Sequence, residues 1–328
     1  MTDQKWLSAH LFYAEPWEEF LTKAVLPFVN EMMENGTAEQ FFFVRYWERG
    51  PHIRLRFKGQ KEKLEHKLKP ALEAYFSYYF SSHPSKRVEP AWVSALTDDQ
   101  KWYPNNSIQF IEYEPEIERY GGPAGILTSE KQFEVSSRCV LQAIRDSEQW
   151  YYSRALGIAI QLHVAFAHSM KMDLDETIAF FEWLSNGLMP FVTGFETDLA
   201  ASRQKAETIR ANFNTRFDLT KDILITFCKT LWDGLQEGAE FEEESLNDWV
   251  RDMRLNYGQL NSAFEDGRIE IPVSFRINGK NDLQKEKQKL WFIYSSYVHM
   301  TNNRLGILNQ DEAYAAFLIS KCLSAINE

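Results

Sequence analysis

The stretch QFFFVRYWERGPHIRLRFKG, residues 40–59, reads as two β-strands folded about a turn. Gly50 and Pro51 in ERGP supply the break, and aromatic and branched residues fill both flanks. Along the second strand, period-two alternation sends Ile53, Leu55 and Phe57 to one face and His52, Arg54 and Arg56 to the other. The apolar face is core. The cationic face needs another reason, because like-charged neighbours repel. Two readings stand. Carboxylates on a neighbouring strand neutralise the arginines, or the planar guanidinium forks await an anionic ligand.

Working outward, KWLSAHLFY (5–13) is a strand closed by AEPW, with Pro16 suited to a helix start. Trp17, Phe20, Leu21, Ala24, Phe28 and Met32 then recur at helical spacing, with Pro27 predicting a kink, until ENGT breaks the pattern. Residues 61–80 return to helical spacing through Leu64, Leu68, Leu72, Tyr75 and Tyr79. After a Ser-, Pro- and charge-rich loop (81–106), SIQFIEYEPE (107–116) is a fourth strand. The order βαββαβ predicts a ferredoxin-like antiparallel sheet carrying two helices on one face.

From about residue 129 the spacing is almost wholly helical, near 130–147, 152–170, 174–192, 217–236, 245–264, 283–302 and 310–326. One interruption, GRIEIPVSFRING (267–279), reads as a strand pair or an extended loop. The fold class is therefore α+β: a small sheet in the N-terminal third joined to a mainly helical C-terminal body. With no low-complexity linker, the chain reads as one composite domain, 1–128 carrying the sheet and 129–328 the helices.

Composition bounds the function. The 328 residues, 44% hydrophobic and 25% charged, suit a soluble globular protein with a sizeable core, and 15% aromatics predict a core dense in rings. A net charge of −11 argues against direct nucleic-acid binding, so an anion site must be a local basic pocket. Cys139, Cys228 and Cys322 show no metal-ligand spacing and read as reduced thiols. With no apolar signal region, the expected location is the cytoplasm. His10, His66, His83, His163 and His168 form no triad or metal pattern, and neither a nucleophile elbow nor a Gly-rich dinucleotide loop occurs. No metal or cofactor is expected.

Three stretches could carry chemistry. The hairpin holds Arg45, Arg49, Arg54 and Arg56. In IEYEPEIERYGGPAG (111–125), Glu116 and Glu118 bracket Ile117, and the Gly121-Gly122-Pro123 turn holds Arg119 on fixed backbone. That arginine either pairs locally with Glu116 or faces a ligand. In YVHMTNNRLGI (297–307), His299 and Arg304 flank two asparagines at a helix end stopped by Gly306. His299 is either a satisfied structural group or a proton shuttle.

In order along the chain, FFFVRYWERGPHIRLRF, YEPEIERYGG and HMTNNRLGI resemble the elimination region at the C-terminus of class I lantibiotic dehydratases, which also occurs alone in thiopeptide-type bacteriocin biosynthesis. The resemblance spans nearly the whole chain, with PEIERYGG its most specific motif. It implies a lyase that removes glutamate from glutamylated Ser or Thr of a ribosomal precursor peptide (leader plus core), leaving dehydroalanine or dehydrobutyrine. A glutamyl-tRNA-dependent glutamylation subunit on another polypeptide is implied as partner, and homo-oligomerisation stays open. The family's functional residues map onto Arg54, Arg56, Glu116, Arg119 and His299. The resemblance gives Arg54, Arg56 and Arg119 glutamyl binding and charge stabilisation, His299 acid/base work, and Glu116 the orienting of an arginine or the binding of the glutamyl amine, with base work as the alternative. Arg304 is a supporting substrate-binding candidate. Two other readings are a pyridine-forming [4+2] cycloaddition enzyme on the same scaffold and a non-catalytic peptide-binding or docking subunit.

Overall fold

The computed structural model describes residues 3–194, 199–272, 275 and 288–327. The chain separates into two compact units, one of Met1–Glu116 with Phe133–Trp150, the other of Ile117–Gln132 with Tyr151–Glu328. Among the described residues no helix is long and apolar enough to cross a membrane.

The first unit carries the sheet. Strands β1 (Gln4–Phe12), β2 (Gln40–Tyr46), β3 (His52–Gln60) and β4 (Ser107–Phe110) lie in the spatial order β2-β3-β1-β4, each neighbouring pair antiparallel. This is the ferredoxin-like arrangement that the βαββαβ order predicts. The turn between β2 and β3 places both Arg49 (φ 58°) and Gly50 (φ 108°) in positive φ, which folds the strands tightly back. In β3, Ile53, Leu55 and Phe57 are fully buried, as alternation requires.

Two helical segments serve this sheet, and each contains a π turn just ahead of a proline. In the first, α1 (Glu18–Phe20) leads through Leu21–Val25 into α2 (Leu26–Glu34). In the second, α3 (Lys61–Lys63) leads through Leu64–Leu68 into α4 (Lys69–Ser82). Proline lacks an N–H, and its ring crowds the carbonyl four residues back. The chain answers by widening one turn: Leu26 N–H bonds the Leu21 carbonyl and Lys69 N–H bonds the Leu64 carbonyl, five residues apart. Pro27 thus widens a turn within a continuing helix. Phe28 on α2 meets Phe57 of β3 (ring centroids 5.9 Å) and Phe76 of α4 (5.2 Å), joining both helices to the apolar face. The outer edge of β2 is also engaged, because Phe43 N–H donates to Ser137 Oγ at 3.1 Å.

The second unit is helical. It is built from the start of α5 (Gly122–Arg145) with α6 (Tyr152–Ser169), α7 (Leu174–Thr193), α8 (Leu199–Asp218), α9 (Lys221–Glu237), α10 (Glu244–Glu265), α11 (Trp291–Leu305) and α12 (Gln310–Asn327). Helix α5 begins at Gly122, eight residues earlier than apolar spacing suggests, because the Gly-Gly-Pro turn itself starts the helix. Helix α8 escapes apolar periodicity: Phe213 is its buried anchor, on a helix otherwise largely exposed. Within GRIEIPVSFRING, residues 267–272 carry no strand, while 273, 274 and 276–279 lie outside the described residues. The helix expected over 283–302 is described from Trp291, and 283–287 lie outside the described residues. All three cysteines are buried as free thiols, and the Cys228 thiol, on α9, hydrogen-bonds with Cys322 on α12, which pushes its pKa far up.

Candidate active site

The cationic face of β3 resolves into three unlike side chains. His52 is buried, donates from Nδ1 to the Gly50 carbonyl (2.8 Å) and accepts from Arg54 Nε at Nε2 (3.3 Å). Those partners fit the neutral imidazole. Burial, helped by Arg54 and Arg56, holds its pKa down at about 4. Opposite Arg54 in the register stands His10, its ring stacked on His52 at 4.9 Å, and burial first, then the neighbouring His52, Arg54 and Arg56 that oppose a second positive charge here, lower its pKa to about 2. Repulsion on this face is eased because both imidazoles are neutral.

Arg54 lies over the Tyr46 ring (3.3 Å from the centroid) and pairs with Glu48 at 3.1 Å. The acid that meets it sits at the hairpin turn rather than on a neighbouring strand. Glu48 is 67% exposed while the Arg54 side chain is 19% exposed, so solvent reaches the pair mainly from the carboxylate side. Arg56 lies over Tyr113 (4.3 Å) and Phe42 (5.2 Å), with Ser8 Oγ at 3.5 Å from its Nε. No carboxylate among the described residues forms an ion pair with it. Burial lowers its pKa to about 10, partly offset by Tyr113 and the exposed Glu116, but it stays cationic near neutrality.

Protonation makes these groups a stability switch. The unfolded chain takes up protons on His10 and His52 near pH 6.5, and on fully buried His163, whose pKa burial lowers to about 4. The folded state does not, so stability falls as pH drops from about 6.5 to 4, by up to about 1.4 kcal/mol per pH unit per histidine. Thermal melts at pH 7 and 4.5 check this. An unchanged melting temperature would contradict it.

In the second unit, Arg119 stands in a short 3-10 turn (Glu118–Tyr120) ahead of Gly121 (φ 81°) and Gly122 (φ 84°). A Cβ at Gly121 would come within 2.9 Å of Ile269 and 3.0 Å of Ile293, so glycine is required by space as well as by φ. Gly121 carbonyl also accepts from Glu270 N–H at 3.0 Å. The backbone beneath Arg119 is therefore fixed, and its Nε donates to Ser296 Oγ at 3.2 Å.

Arg119 and His299 line one cavity of about 500 Å³. His299, on α11, carries its Nδ1 2.9 Å from Oε2 of Glu312, a carboxylate only 4% exposed. Glu312 is the third residue of α12, and its Oε1 accepts the Asn309 N–H at 3.3 Å, one half of a capping box. The chain reversal stopped by Gly306 (φ 83°) thus brings a helix-starting carboxylate beside an imidazole thirteen residues earlier. With Nδ1 held as donor, Nε2 is the nitrogen available to a substrate.

Arg304 lies outside this lining. It is fully buried and donates from Nη1 to Met300 carbonyl at 2.9 Å, while Asn302 meets buried His163 at 2.7 Å. Of the candidates, Arg54, Arg56 and Glu116 fall in the first unit, and Arg119, His299 and Arg304 in the second.

The description of the C-terminal region of lantibiotic biosynthesis dehydratases matches residues 6–323. The chain belongs to that family. Subtilin biosynthesis protein SpaB of Bacillus subtilis is 25% identical over 243 residues, 73% of this chain and 19% of SpaB, so the chain spans about a fifth of that relative. Among solved structures, the pyridine synthase TbtD from thiomuracin biosynthesis aligns with a TM-score of 0.73 and 17% identity, covering 98% of each chain. TsrL aligns at 0.65 with 18% identity, over 98% of this chain and 95% of its own. MibB, the tRNA-dependent lantibiotic dehydratase of Microbispora sp. 107891, aligns at 0.61 with 18% identity, over 98% of this chain and 28% of MibB. These likenesses share the fold of the dehydratase C-terminal family.

Sequence spacing missed Glu312. Its signal was nevertheless present in NQDE (309–312), the Asn-x-x-Glu form of a helix start, placed shortly after the Gly306 stop. For this member of the dehydratase C-terminal family, Glu312→Gln keeps an oxygen acceptor for His299 Nδ1 but adds an amide NH2 that can take its place and turn the ring. If the pair does acid/base work, the expected result is a loss of about tenfold or more in kcat with KM little changed. Equal kcat in both proteins would remove Glu312 from the acid/base pair.

Proposed function

We propose that this chain eliminates glutamate from glutamylated Ser or Thr of a precursor peptide, as the small subunit of a split tRNA-dependent dehydratase in the cytoplasm. The observation that carries the reading is the cavity that unites Arg119 with the His299–Glu312 pair. The substrate is an ester between a side-chain hydroxyl and the α-carboxyl of glutamate. His299 Nε2 takes the peptide Cα proton, and the electron pair passes into an enolate. The enolate then expels the ester oxygen, breaking the Cβ–O bond, so that glutamate leaves as a carboxylate and an alkene remains. Negative charge builds first at the peptide carbonyl and then on the leaving group, and a guanidinium fixed beside both lowers the barrier. Arg54 and Arg56 keep the roles the resemblance implies, glutamyl binding and charge stabilisation, and Glu116 orients an arginine.

The test supplies a chemically glutamylated peptide and follows it by mass spectrometry. Release of free glutamate with formation of dehydroalanine supports the reading, and an unchanged ester overturns it. A second reading, ring formation between two dehydroalanines, is favoured by the 98% mutual coverage with the pyridine synthase TbtD. Incubation with a peptide already bearing two dehydroalanines separates the two, because only the cyclising enzyme converts it.

A further inference from the structure

The cavity around His299 has two chemically opposed sides. Arg119, Ser295, Ser296, His299 and Glu312 bring hydrogen-bonding and charged groups from the glycine-bounded turn and from α11 and α12. Helix α7 contributes Trp183, Leu184, Gly187 and Leu188, positions i, i+1, i+4 and i+5 of one helical face, and none has a polar or charged side chain except the indole N–H of Trp183. A free carboxylate or amine placed against that wall would lose its hydration without a partner. The glutamyl group of the proposed substrate therefore belongs with the polar side, and the α7 side is left for something apolar.

Two details sharpen what it accepts. The Trp183 ring is braced by Trp291 (5.5 Å) and Phe180 (6.0 Å), so the wall is held in place rather than free to repack around any shape. At Gly187 there is a notch: a Cβ built there meets no atom within 4 Å, although its helix neighbours Trp183, Leu184 and Leu188 all line the cavity. The missing side chain leaves room beside an apolar surface.

We infer that the Trp183–Leu184–Gly187–Leu188 face of α7 is a subsite for a bulky apolar side chain adjacent to the modified residue of the peptide, with Gly187 setting the size it accepts. The inference rests on the reading of the site as one for a glutamylated peptide. It assigns a role to residues that take no part in proton transfer. Binding energy gained at this wall holds the peptide Cα–H bond against His299.

The experiment uses the full chain and two sets of synthetic peptides. In one set a single glutamylated Ser is flanked on either side, in turn, by Gly, Ala, Leu or Phe. In the other, a glutamyl amide on 2,3-diaminopropionate replaces the ester, so that binding can be read by fluorescence anisotropy without turnover. For at least one flank, kcat/KM with Leu or Phe should exceed that with Gly by about tenfold or more. Gly187→Leu should bring that ratio to about one, and Leu188→Ala, which removes apolar wall, should lower it as well. The ratio is independent of how much variant folds. Equal rates for Gly and Phe at both flanks in the natural protein, or a ratio unchanged in both variants, would overturn the subsite. Apolar preference in amide binding with no ester turnover would keep the subsite and discard elimination. Neither binding nor turnover would discard both.

Discussion

Replacement of His299 by alanine is expected to lower kcat for the proposed glutamate elimination by about 10²–10⁴-fold, the range for loss of a positioned acid/base group, with a much smaller change in KM. The expectation rests on the way the imidazole is held. Glu312 is buried and uses one carboxylate oxygen on His299 Nδ1 and the other on the Asn309 amide, so the carboxylate is committed to holding the ring. Nε2 remains for the Cα proton of the proposed elimination. The measurement is the initial rate of glutamate release at saturating glutamylated peptide, with circular dichroism to confirm folding. A folded His299→Ala protein that turns over normally would remove the imidazole from the chemistry.

Arg119→Ala should cost about 10²–10³-fold in kcat/KM, the usual penalty for removing one pre-set donor facing developing negative charge. Its rigid support makes the size of this effect credible. The turn beneath it admits only glycine at 121, and Ser296 fixes the guanidinium through Nε. Arg119→Lys should recover only part of the loss, since an ammonium is a point charge without the planar fork. Rates of both variants on the same peptide decide the matter. Full activity in a folded Arg119→Ala would exclude a role in charge stabilisation.

How much of this was readable in the sequence differs by element. The sheet was, because β3 alternates cleanly and the hairpin turn carries glycine and proline. The register that puts His10 against Arg54 was not, and with it went the stacked neutral imidazoles that ease the crowding on that face. Burial decides the charge of His52, and no spacing rule reports burial. Cross-strand pairing does not reach Glu48 as the partner of Arg54, because the acid sits in the turn six residues away. Helix α8 lacked a broad apolar stripe, since its packing is a narrow seam centred on Phe213. The Gly-Gly-Pro motif signalled a reversal correctly but concealed the helix that starts inside it. The partnership of His299 and Glu312 depends on two helices doubling back, a tertiary fact.

The sealed thiols turn the protein into its own reporter. Cys139, Cys228 and Cys322 present almost no surface, and the Cys322 thiol beside Cys228, together with burial, disfavours the Cys228 thiolate that electrophiles attack. A maleimide or aromatic disulfide reagent should therefore ignore the native molecule and label it only when a helix departs. Since Cys139 sits on α5 within the first unit and the other two on α9 and α12 of the second, mapping each labelled site against denaturant times the loosening of either half without any engineered probe.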